Sequence, residues 1–144
     1  MKAVYRWWTG IVLAGVLIQI AFAGYGAFYT VDKADKAGKT ISHHGVDHGW
    51  ALHSAFGSIV ILLGILLIPI AFAAKVDRER KRMSIVLGVL MIVQLFLAVL
   101  GGASAPLGFL HPLNAIAIAA VAGITARREW KGGLATAAAS VGAD

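Results

Sequence analysis

From Met83 to Ala126 the chain reads MSIVLGVLMIVQLFLAVLGGASAPLGFLHPLNAIAIAAVAGITA, without a single Asp, Glu, Lys or Arg. About 20 apolar residues suffice for a helix to cross ~30 Å of hydrocarbon, where each backbone polar group must be satisfied within its own segment. This run is too long for one crossing. Gly101-Gly102, Pro106, Gly108 and Pro112 cluster in its middle, where a turn is needed. It therefore divides into two spans, about 83–103 and 110–127.

Outward from this run, Gly49 to Ala74 and Trp7 to Val31 are also free of charge and supply two more spans, about 48–74 and 7–31. The expected fold is all-α, an integral membrane four-helix bundle over residues 1–131, with 132–144 a Gly/Ala-rich disordered cytoplasmic tail. Composition agrees: of 144 residues 59% are hydrophobic, and the mean hydropathy of +0.80 is too high for a soluble domain of this size. Lys2, Arg6, the apolar stretch 10–20 and Ala21-Phe22-Ala23 mimic a signal peptide and its cleavage site. We read the segment as a retained first span.

Lys and Arg in the connecting segments set the orientation. Lys2, Arg6, Lys75, Arg78, Arg80, Lys81, Arg82, Arg127, Arg128 and Lys131 fall on one side, and only Lys33, Lys36 and Lys39 on the other. This puts both termini and the 75–82 loop in the cytoplasm, with the 32–47 loop and the 104–109 turn outside. The net charge of +6 is thus topology and contact with lipid headgroups, not nucleic-acid binding. With no cysteine in the chain, disulfides, thiolate metal sites and cysteine-ligated iron–sulfur clusters are excluded.

The two halves share a pattern. Ile11-Val12-Leu13 precedes Gln19 as Ile85-Val86-Leu87 precedes Gln94, and each glutamine is followed by paired glycines, Gly24 and Gly26 or Gly101 and Gly102. The next span then opens with Leu-His, at Leu52-His53 and again at Leu110-His111. Two repeated helical hairpins inserted in the same direction would bring these histidines face to face across a pseudo-twofold axis.

Histidine is costly inside a membrane, where it faces a bundle interior or a cofactor. All five here, His43, His44, His48, His53 and His111, lie toward the expected outer side. His53 and His111 meet the demand of a haem iron for two axial imidazoles on facing helices at one depth. His111 is expected in a helix first turn beside Pro112. Gly57 and Gly64 share a stripe with His53 and leave room for a flat macrocycle, although small residues at this spacing also serve plain helix packing. Asn114 or Ala115, Ile118 and Ala122 form the stripe with His111. Gly15 and Gln19, and Gln94, Ala98 and Gly101 or Gly102, fill the remaining walls. His44 and His48, four apart, offer a second site for Zn²⁺ or Cu²⁺, or with His43 and Lys39 an environment for haem propionates. His48 and His53 are about 140° apart round a regular helix, so both cannot serve one iron. No second bis-histidine site exists for a stacked pair of haems.

The stretches Ile18-Gln19-Ile20-Ala21-Phe22-Ala23-Gly24 and Val93-Gln94 to Gly101-Gly102, with the openings Leu52-His53 and Leu110-His111, resemble one four-helix half of haem A synthase. The resemblance implies a single haem b near the outer leaflet, with His53 and His111 as axial ligands. The catalytic half of that family carries a glutamate about three residues before its helix-two histidine. Here position 50 is Trp50 and no glutamate precedes Glu79, which puts oxidation of a haem methyl group in doubt. Leu110-His111-Pro112-Leu113-Asn114-Ala115 is also similar to a motif opening the last helix of uncharacterised four-span bacterial proteins. The expectation is a haem protein of the bacterial cytoplasmic membrane, for electron transfer or haem handling, working with lipid, a quinone or a redox partner protein, or a second copy. If it is an enzyme, it is a haem-dependent oxidoreductase. The competing readings are a cofactor-free assembly subunit and a quinone-reactive oxidoreductase using Gln19, Trp50 or the loop histidines.

Overall fold

The structure is a computed structural model that describes residues 1–36, 38 and 42–141, with the backbone alone at 105 and 132–141. It contains four α-helices: α1 Lys2–Lys36, α2 His43–Ala73, α3 Arg78–Ala103 and α4 Ala105–Val141. Each is long and apolar enough to cross a membrane. They are apolar all round, and outward-facing Ile11, Leu17, Phe28, Val99, Phe109 and Ile116 match what helices show to lipid.

Neighbours run in a ring, α1 against α2, α2 against α3, α3 against α4 and α4 back against α1. Among the described residues α1 and α3 therefore stand across one diagonal and α2 and α4 across the other. The inward stripes follow helical spacing: Tyr5, Thr9, Val12 and Val16 on α1, Val60, Gly64, Leu67 and Ala71 on α2, Ser84, Leu87, Gly88 and Met91 on α3, and Ile118, Ala122 and Ala126 on α4. Glycines set the closest approaches. A Cβ at Gly64 would stand 2.7 Å from Met91 Cγ, one at Gly88 would stand 2.6 Å from Ile68 Cδ1, and one at Gly15 would stand 3.1 Å from Val60. Near the α3–α4 turn a Cβ at Gly101 would meet the Gly108 backbone at 2.9 Å.

The helices exceed the expected spans at most ends. The α2–α3 link is short: Ala74 caps α2, Lys75 takes a left-handed φ of 51°, and Asp77 caps α3 by accepting the Arg80 N–H at 2.9 Å. Between α3 and α4 the expected 104–109 turn contracts to Ser104, whose extended backbone breaks the helix while its own N–H still reaches Leu100 O at 3.1 Å. Pro106, Gly108, His111 and Pro112 consequently lie within α4, and Pro112 is an interior proline, not a first-turn residue. At the other end α4 continues to Val141, past the start of the expected disordered tail, through an alanine-rich segment of high helix propensity.

The end carrying Lys2, the α2–α3 link and Lys131 is fastened by polar contacts. Buried Tyr5 places its hydroxyl 3.0 Å from Ser84 Oγ. Arg80 Nε reaches buried Glu129 Oε1 at 2.6 Å, and Arg6 stacks over Trp130, 5.5 Å from the ring centroid. Deeper in, the Trp8 indole donates to Leu63 O at 2.9 Å, tying α1 to α2.

Candidate functional site: a glutamine-braced histidine pair

Toward the opposite end, His53 on α2 and His111 on α4 meet across the bundle diagonal, their ring centroids 6.2 Å apart and their planes at 66°. Each is held by the glutamine of its own hairpin. Gln19 Nε2 lies 2.9 Å from His53 Nδ1 and donates to His53 O at 2.7 Å. Gln94 Nε2 lies 3.0 Å from His111 Nε2. Four residues far apart in sequence are thus joined into two like pairs facing each other.

The second pair is pinned further. Asn114 Nδ2 donates to Leu90 O at 2.9 Å and to Gln94 Oε1 at 2.7 Å. A carbonyl can only accept, so Leu90 O fixes the Asn114 amide. Asn114 in turn fixes the Gln94 oxygen, and the Gln94 NH₂ is left facing the imidazole. His111 Nε2 therefore accepts, and the ring proton sits on Nδ1, which is buried without a partner. The same logic orients Gln19: its bond to His53 O turns the NH₂ toward His53 Nδ1. Gln19 Oε1, however, is buried with nothing to bond. The residue one turn beyond His53 is Phe56, stacked edge-on against Phe22 at 5.3 Å, where the other hairpin has Asn114. The halves share their histidine and glutamine and differ in the brace.

The glycine stripe of α2 is not vacant. Gly57 gives its space to Gln19, whose Nε2 would stand 2.6 Å from a Cβ there, and Gly64 gives its space to Met91. Gly15 packs on Val60, while Ile118 and Ala122 lie in the buried interior. Trp50 stands edge-on to His53, centroids 5.5 Å apart.

His43, His44 and His48 occupy the first turns of α2, and His48 lies 5.7 Å from the Tyr29 ring. Among the described residues no three His, Cys, Asp or Glu side chains converge as metal ligands. Lys39 lies outside the described residues. The contacts that sequence reasoning missed are the Leu90 carbonyl, an unmarked backbone group, and the Arg80–Glu129 pair. Glu129 carried one signal, as the lone acid at the charged end of the fourth span.

No curated protein and no solved structure matches the chain. Residues 19–103, which hold Gln19, His53 and Gln94, match the family described as "Family of unknown function (DUF6220)". That match covers more than half of the sequence, and the chain belongs to this family of unknown function.

Proposed function

We propose that this is a b-type haem protein of the bacterial cytoplasmic membrane, with both termini in the cytoplasm and one haem held between His53 and His111 near the outer leaflet. The observation that carries the reading is the separation of the two imidazoles. With metal–nitrogen bonds of about 2 Å, two rings sharing one metal have centroids roughly 6 Å apart, and the rings here stand at 6.2 Å. Two buried polar atoms without partners, His111 Nδ1 and Gln19 Oε1, mark the same place as one whose hydrogen bonding is incomplete.

When bound, haem supplies one-electron chemistry. The chain's own contributions are separate from it. His53 and His111 would be the ligands; a metal at His111 Nε2 would take the place of the Gln94 N–H, whereas Gln19 stands at His53 Nδ1 and leaves the other nitrogen of that ring without a glutamine contact. Gln19 and Gln94 orient the rings, as outer-shell partners of ligating histidines do. The apolar walls exclude water and so favour electron transfer over reaction with solvent. A physiological role in electron transfer or haem handling follows, with a quinone or a membrane redox protein as partner.

One observation favours a second reading, a cofactor-free assembly subunit: both accepting imidazole nitrogens are already satisfied by glutamine amides. Spectra separate the two. Protein purified in mild detergent from haem-replete cells is expected to show a sharp b-type α band on dithionite reduction, lost or turned high-spin in His53→Ala and His111→Ala. A wild type that stays colourless after haem addition would end the haem reading in favour of the second. Reduction of the band by a quinol would add quinone reactivity.

A further inference from the structure

At the bundle end that carries Lys2, the α2–α3 link and Lys131, the acids among the described residues are Asp77, Glu79 and Glu129, and each is engaged. Asp77 and Glu129 both meet Arg80, at 3.3 and 2.6 Å, and Glu79 meets Arg128 of α4. Arg78 and Arg82 are left over, and among the described residues neither forms an ion pair. They stand one turn apart on one face of α3, where like charges repel. Both are exposed, and with Glu79 they line an open cleft. Glu79 does little to neutralise them, because Arg128 takes it and so brings a third guanidinium to the rim. The cleft thus gathers positive charge that the protein does not itself balance.

Its depth says what would balance it. The charge-free run begins just after Arg82 and stops just before Arg127, so the edge of the hydrocarbon passes beside the cleft. At a rise of 1.5 Å per residue, Arg78 stands about 6 Å beyond Arg82, among headgroups. Trp7 and Trp130, edge to face at 4.9 Å and both exposed, lie at the same end, as aromatic side chains do at a membrane interface. Guanidinium groups bind phosphate oxygens through paired N–H donors.

We propose that Arg78 and Arg82, with Arg128 at the rim, hold the phosphodiester of an anionic phospholipid in the leaflet at this end of the bundle. A zwitterionic lipid brings an ammonium group toward the same arginines and is disfavoured by it. The site uses none of the histidine pair and stands whether or not haem is bound.

The test titrates full-length protein in mild detergent with phosphatidylglycerol and counts bound lipid by native mass spectrometry. Wild type is expected to retain phosphatidylglycerol in preference to phosphatidylcholine. Arg78→Gln and Arg82→Gln should each weaken phosphatidylglycerol binding about fivefold, and the double variant about thirtyfold. Lys2→Gln/Lys131→Gln removes the same charge from the same end outside the cleft and should weaken binding far less. Glu79→Gln removes the acid from the cleft and frees Arg128, so it should tighten binding, a gain that a misfolded variant cannot mimic. Equal losses in the two double variants would reduce the site to diffuse attraction and overturn the inference. Equal retention of phosphatidylcholine, or weaker binding in Glu79→Gln, does the same. Inorganic phosphate that competes with the lipid at equal concentration would assign the arginines to a soluble phosphate and overturn the lipid assignment.

Discussion

Replacing Gly101 by alanine puts a methyl group 2.9 Å from the Cα of Gly108, where the obstacle is backbone and not the end of a flexible side chain. Helices α3 and α4 must part near their turn to admit it. Overpacking of this kind costs about 1–3 kcal/mol, while alanine is favoured over glycine in a helix interior by roughly 0.5–1 kcal/mol. The net expectation is destabilisation of about 1–2 kcal/mol. Gly123, within α4, supplies the control: a Cβ there meets nothing within 4 Å. Gly123→Ala is therefore expected to be neutral or stabilising by up to about 1 kcal/mol. Gly108→Ala should fall between, since its Cβ meets Gly101 at 3.5 Å. Reversible unfolding in mixed SDS and mild-detergent micelles, followed by far-UV circular dichroism, gives the order directly. Equal stabilities for Gly101→Ala and Gly123→Ala would refute the claim that backbone contact at the turn sets the α3–α4 spacing.

Trp8→Phe keeps an aromatic ring and removes the bond to Leu63 O, and the same unfolding assay should register a loss of about 0.5–1.5 kcal/mol. Gly57→Ala should leave the fold intact, because the obstructing atom is the far end of the Gln19 side chain at 2.6 Å, yet displace that amide from His53; if haem is held there as proposed, its occupancy read from the reduced α band should fall. Asp77→Ala removes the α3 cap at a cost of about 1 kcal/mol at neutral pH. The Asp77 carboxyl is held below its ordinary value, chiefly by the Arg80 N–H that it accepts. Its contribution is therefore present above the unfolded-state value of about 4 and lost as pH falls through the lower folded-state value. Asp77→Asn should keep most of the cap and flatten that acid-side loss, which is small because the side chain is largely exposed.

Charge-free length made four helices legible in the sequence, because a membrane leaves a chain little choice of secondary structure. Helix ends were less legible. His43 to His48, Lys33 to Lys36 and Pro106 to Pro112 carry polar residues, prolines and glycines that suggest loops, while their backbones continue as helix. At the site, the residue types stood out because glutamine and histidine are rare among apolar neighbours. What they touch did not. Helical period placed Gly57 on the His53 stripe, but nothing in it says that the space goes to Gln19, which arrives from another helix. Asn114 was likewise visible as a polar residue near His111, while its anchor is the carbonyl of Leu90, which leaves no mark in a sequence.

The single residue Ser104 between α3 and α4 bears on biosynthesis. With no charged side chain from Met83 to Ala126 and almost no chain between the two helices, the turn that joins them has no polar segment to carry into a bilayer. The two helices can leave the insertion machinery together as a preformed hairpin, with Gly101 already against Gly108. Half of the histidine site, His111 with Gln94 and Asn114, is then assembled at the moment of insertion, while His53 and Gln19 come together through the longer α1–α2 connection.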